Sequence, residues 1–100
     1  MIECTTNIDY RAFKKAKIER PWYRTIAPNQ IKVMPRQGPH QPKVITFERK
    51  GNRVFARCSS VDSPDVECMA NHNGRWCFHV AWAVQVLIRK QQLRERKQAA

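Results

Sequence analysis

Acidic side chains are scarce in this chain of 100 residues: eight Asp and Glu stand against nineteen Lys and Arg, a formal net charge of +11. That imbalance disfavours an acidic scaffold and favours a polyanionic partner, usually nucleic acid or an anionic membrane surface. Long apolar runs are missing as well. The most apolar stretch, Phe78 to Ile88, includes His79 and Gln85 and runs straight into Arg89-Lys90. A spanning helix needs about 20 apolar residues, so no membrane insertion is expected. The opening residues Met1-Ile2-Glu3-Cys4-Thr5-Thr6 lack a basic segment followed by an apolar one, so no secretory leader is expected. Without export, cysteines stay reduced, which points to the cytoplasm, or to the nucleus in a eukaryotic cell. Internal repeats and low-complexity tracts are absent.

What is present amounts to one domain. Apolar residues make up 42% of the chain, enough for one modest core, and domains of this size often need a staple. Thr5-Thr6-Asn7 offers helix N-caps, Ile8, Ala12 and Ala16 recur at four-residue spacing beside Phe13, and Pro21 follows. The spacing predicts a short amphipathic helix over 8–19. Five of the six prolines lie between Pro21 and Pro42, so that segment reads as irregular, with room for one short strand at Ile31–Met34. Branched and aromatic residues at Val44-Ile45-Thr46-Phe47, turn residues at Lys50-Gly51-Asn52, and Arg53 to Cys58 read as two strands, and Val66-Glu67-Cys68 as a third. A long helix starts near Cys77, apolar as far as Ile88 and basic beyond it. The expected fold class is α+β: an N-terminal helix, a three-stranded antiparallel β-meander and a long C-terminal helix. Residues 1–43 hold the helix and the proline-rich segment, and residues 44–100 hold the hairpin, the helix and its basic extension.

The chemistry concentrates in Cys58, Cys68, Cys77 and His79. Three thiols and one imidazole suit a closed tetrahedral zinc site, with sulfurs at about 2.3 Å and nitrogen at about 2.0 Å. Cys58 and Cys68 come from neighbouring strands, whose side chains approach within about 5 Å. Cys77 and His79 would diverge by about 200° on a regular helix. They meet one ion only if Cys77 precedes the helix and His79 lies in its first turn, where free N–H groups also favour thiolates. Trp76 and Trp82 flank the four and are expected to shield them. Cys4, distant in sequence, reads as a free thiol in a frayed terminus, and His40, between Pro39 and Gln41, as a solvated loop residue.

A cysteine-bearing strand at Val66-Glu67-Cys68, a loop through Asn71-His72-Asn73-Gly74, and Cys77-Phe78-His79 opening an apolar helix together resemble the SWIM zinc finger, whose pattern is CxC…CxH. The resemblance covers about residues 44–90. Cys68 falls on the family's second cysteine, Cys77 and His79 on its CxH, and Val66 stands where the first cysteine belongs. Cys58 or, alternatively, His72 then supplies the fourth ligand. The resemblance implies one structural Zn²⁺ in a module that binds DNA or protein partners and does no catalysis. A nucleophilic Cys–His pair lacks an orienting carboxylate nearby, and four ligands leave no open position on a catalytic zinc, so no enzyme is expected.

The cations gather in two groups, Arg11, Lys14, Lys15, Lys17, Arg20 and Arg24, then Arg89, Lys90, Arg94, Arg96 and Lys97. If the two helices pack together, the groups merge into a stripe that tracks a phosphate backbone, with Lys14, Lys15, Lys17, Arg24, Arg89, Lys90, Arg94, Arg96 and Lys97 as candidate contacts. Pro21-Trp22-Tyr23-Arg24 reads either as a core plug, the plainer expectation, or as a platform on which bases stack. No motif for base-specific readout is present. The expected partner is nucleic acid, DNA before RNA. The alternative is a subunit of a larger nucleoprotein complex that uses the zinc-ordered surface to bind protein.

Overall fold

Between residues 21 and 42 the prolines punctuate strands instead of preventing them. In the computed structural model, which describes residues 1–6, 8–36 and 41–99, Pro21 directly precedes β2 (Trp22–Ala27) and Pro28 occupies the two-residue turn into β3 (Gln30–Met34). Pro35 follows β3, and Pro42 precedes β4 (Lys43–Lys50). None of the four sits where a ladder needs its missing N–H. The irregular segment expected here is therefore a hairpin, paired from Trp22↔Met34 to Ala27↔Gln30 with a bulge after Thr25.

β3 continues the ladder into β4, which turns through Gly51-Asn52 into β5 (Arg53–Ser60). Gly51 takes φ +61, the left-handed value a two-residue hairpin demands at its first turn position. The outer side of β5 carries two short partners: β1 (Ile2–Glu3), through Ile2↔Ala56, and β6 (Ser63–Glu67), through Ser59↔Glu67. The sheet is thus six-stranded and antiparallel, in the order β1-β5-β4-β3-β2 with β6 beside β5, twice the size of the meander expected. β1 also corrects the reading of Cys4. Its N–H donates to the Val54 carbonyl at 2.7 Å and the residue is buried, so the terminus is docked on the sheet.

Alternation along the strands puts Ile31, Ile45 and Cys58 in one cross-sheet row and Phe47, Ala56 and Ile2 in the next. Two helices cover this face. The first, α1 (Tyr10–Glu19), starts later than its apolar spacing suggests, because Asp9 is the N-cap and its Oδ1 accepts from the Arg11 and Ala12 amides. Asn7, one of the expected caps, lies outside the described residues. Ala12 and Ala16 bury the inner stripe of α1. The long helix α3 (Phe78–Ala99) buries Val80, Ala81, Trp82, Ala83 and Val86. It packs against α1, and Gln85 Nε2 donates to the Phe13 carbonyl at 3.5 Å. Small residues at Ala12, Ala16, Ala81 and Ala83 let the two helices and the sheet approach closely. One hydrophobic cluster runs from Ile2 to Val86, so residues on both sides of position 43 build it. Among the described residues, no helix is long and apolar enough to cross a membrane.

Arg20 ends α1 in the left-handed region, φ 44 and ψ 59, while its N–H donates to Ala16 O at 2.9 Å. It is the one non-glycine residue with positive φ among those described.

Candidate metal centre

Cys58 reaches the interior because β5 alternates. Ala56 and Cys58 point inward, and both are fully buried. Its strand partner then delivers the second thiol. The chain leaves β6 at Cys68, whose N–H donates to Cys58 O at 2.8 Å. Cys68 caps α2 (Met69–His72), a single helical turn that reads from sequence as loop, and its sulfur accepts the Asn71 amide at 3.5 Å. Gly74, at φ +73, turns the chain back toward α3.

Cys77 lies immediately before α3 and His79 within its first turn, the arrangement the two-residue spacing requires. Cys77 Sγ accepts the Val80 amide at 3.5 Å. Two cysteine sulfurs thus take up amides at two helix starts, positions that favour negative charge on sulfur.

The ligand atoms of Cys58, Cys77 and His79 lie within 4.8 Å of one another, close enough to hold a metal ion. Sulfurs bound tetrahedrally at about 2.3 Å sit about 3.8 Å apart, so the three need only a small inward adjustment. Cys68, the other cysteine expected here, stands outside this group of mutually close atoms, but its thiol interacts with those of both Cys58 and Cys77. Its own pKa is lowered because Cys58 and Cys77 donate to it, helped by the Asn71 amide. The Cys58 thiol is pushed far up, first by donating to Cys68, then by Cys77 and burial. For Cys77 the bond from Cys58 lowers the pKa, but Cys68 and burial prevail and carry it up to about 11. A cluster of thiols that share protons and charge in this way suits a soft divalent cation, which binds thiolates and displaces the protons. Cys4, also buried, lies close enough for the Cys77 charge to raise its pKa further, to about 12 after desolvation and Glu3. The described cysteines are all free thiols.

His72 is exposed at the end of α2, in a shallow cleft with Asp65, Val66, Glu67 and Met69. Val66, at the position of the missing family cysteine, is 64% exposed. The residue that sequence reading overlooks is Asn71. It is buried, its Oδ1 accepts the Cys58 N–H at 2.7 Å, and its Nδ2 donates to Arg75 O at 2.9 Å. One side chain therefore ties the ligand-bearing strand to the loop that carries Cys77. A polar residue among turn formers gives no sign of this in sequence.

The tryptophans divide. Trp76 packs on Phe13, ring centroids 5.5 Å apart, and lines a cleft with Cys77 and Phe78. Trp82, expected as a shield, lies instead on the side of α3 that faces Lys17, Tyr23 and Arg89. The core-plug reading of residues 21–24 is also overturned. Only Pro21 is buried, whereas Trp22 and Tyr23 are about half exposed on an edge strand.

Lys14, Lys15 and Lys17 are exposed on α1, with Lys15 Nζ 4.8 Å from the Phe78 ring centroid. Lys17 and Arg89 line one cleft, and Lys90 Nζ donates to Thr25 Oγ1. Arg24 departs from this group. It stands opposite Lys32 in the ladder, and alternation sends it to the face away from Tyr23 and the helices. The side chains of Arg94, Arg96 and Lys97, and all of His40, lie outside the described residues. No family model, curated protein or solved structure matches the chain.

Proposed function

We propose that this chain is a non-catalytic zinc-binding module that grips nucleic acid through its basic helical surface, chiefly by phosphate contacts. The convergence of Cys58, Cys77 and His79 within 4.8 Å is the observation that carries the metal. Zinc is the choice because thiolate and imidazole in a closed set suit it best, with Cys68 as fourth ligand. The ion would link β5, the start of α2 and the start of α3. The likeness to SWIM fingers supports the same assignment, with Cys58 from the adjacent strand in place of the first CxC cysteine, and it favours DNA. The nucleic-acid part rests on charge: nineteen cations face eight acids, and Lys17 and Arg89 meet where the two helices pack.

Native mass spectrometry with and without chelator tests the metal, with one zinc per chain expected. Cys58→Ser is expected to lower zinc affinity by about 100-fold or more, since a thiolate ligand is lost. His72→Ala should stay within about twofold. A competition titration with a chromophoric chelator reads both, and the reverse ranking would exchange their roles. For the partner, affinity for random DNA should fall steeply between roughly 50 and 200 mM salt. Absence of binding at low salt would favour the protein-interaction reading instead.

A further inference from the structure

The strongest unassigned feature is a cleft of about 470 Å³ lined by Lys17, Arg20, Tyr23, Arg36, Trp82 and Arg89. Its walls come from the end of α1, from β2 and its flank after β3, and from the middle of α3. Four cations converge on it. The ion pairs among the described residues join Met1 to Glu67 and Lys50 to Glu48, so no described carboxylate forms an ion pair with any of the four. Packing like charges around one concavity raises the energy of the free protein, and a bound anion relieves it.

Several details point to a built site. Trp82 is 6% exposed and its indole Nε1 is buried with no hydrogen-bond partner, an unmet donor at the lining of a cationic cleft. Arg36 is held in place. Its Nε donates to Arg20 O, and its guanidinium lies 3.8 Å from the Trp22 ring centroid. Arg89 packs 5.6 Å from the Trp82 centroid. Arg20 keeps a left-handed backbone, φ 44, where glycine fits without strain. The Arg20 side chain is held at the helix end, its Nε donating to the Lys17 carbonyl at 3.3 Å. Tyr23, 48% exposed, offers an aromatic face beside the cations.

We propose that this cleft is a nucleoside-phosphate site. Lys17, Arg20, Arg36 and Arg89 take the phosphate, and a base stacks on Tyr23. Resting on the nucleic-acid reading above, its occupant is one nucleotide unit of a single strand, because the volume and the exposed ring suit an unstacked base rather than the edge of a duplex.

The test uses the full, zinc-loaded chain and three probes: a 5′-phosphorylated oligothymidylate, thymidine monophosphate, and a random duplex. Lys17→Gln and Arg89→Gln should each weaken oligothymidylate binding about tenfold and reduce the slope of log affinity against log salt by about 0.7. Arg53→Gln, exposed at the β4–β5 turn and outside the cleft, should change affinity less than twofold. Tyr23→Ala should cost the single strand about fivefold or more and leave duplex binding unchanged. If the strand binds but Lys17→Gln and Arg89→Gln behave like Arg53→Gln, the cleft assignment is overturned and the nucleic-acid reading stands. If only the monophosphate binds, and the cleft variants abolish it, the site stands with a soluble nucleotide as its source and the nucleic-acid reading falls. Failure of all three probes at 50 mM salt overturns both.

Discussion

Arg20 sets local backbone preference against side-chain use. Left-handed geometry costs an L-residue roughly 1–2 kcal/mol, and part of this returns if glycine, with its larger unfolded-state entropy, replaces it. Arg20→Gly is expected to stabilise the fold by about 0.5–1 kcal/mol, raising Tm by a few degrees, while it weakens oligothymidylate binding. A melting curve read beside a binding isotherm checks both, and a variant that loses stability would remove the strain account. Asn71 is the opposite case, a buried polar group bonded at both ends of its amide. Asn71→Ala leaves the Cys58 N–H unpaired in the interior, at a cost of about 1–3 kcal/mol. Zinc affinity should drop about 10- to 100-fold as the ligands lose their orientation. Denaturant titration of the zinc-loaded protein measures the first effect and chelator competition the second. The grouping of Cys58, Cys77 and His79 was legible because its residue types are chemically distinctive. Asn71 was not, since nothing local distinguishes a turn asparagine from one that bridges two segments.

At the level of elements, legibility followed burial. The helix of 78–88 shows a stripe because one side meets the sheet, and the strands at 44–47 and 53–58 alternate or cluster because they are central. β2 gives no such pattern. It lies at the sheet edge with Trp22 through Ile26 all exposed, so nothing selects an apolar face. β1 is two residues long, below the length any periodicity can mark, and α2 is a single turn. The prolines were informative in position rather than number: Pro21, Pro28, Pro35 and Pro42 bracket strands, and counting them suggested irregular chain. The larger sheet also changes what metal loss should do. Sequence reading alone anticipates unfolding of 44–90, because small zinc domains couple binding to folding. Most of the hydrophobic cluster, including Ala12, Ala16, Val33, Phe47 and Val86, is built from residues that would hold no metal, so the loss should be local. Hydrogen exchange after chelation is expected to show deprotection across residues 68–80 with the β3–β4–β5 amides retained. Uniform deprotection would mean that the ion holds the whole sheet.

Across the whole molecule, the radius of gyration is 13.4 Å, close to the roughly 13 Å of a compact 100-residue domain, yet the longest extent is 43 Å against 26 Å for the shortest. α3 carries His79 of the candidate centre in its first turn and Arg89 further along. Ten residues of helix, about 15 Å at 1.5 Å per residue, separate His79 from Arg89. A rod fixed at one end transmits a change of tilt to the other. Loosening its anchorage at Cys77 and His79 should therefore swing the far guanidinium out of register with Lys17 and Arg20. Stripping zinc is expected to weaken oligothymidylate affinity several-fold with every cation still in place, measurable by anisotropy before and after chelation; equal affinity in both states would show that the core packing of Val80 to Val86 alone holds Arg89 in register. On the proposed reading, the supply of a trace metal would act as a tuning peg for the molecule's hold on a polyanion.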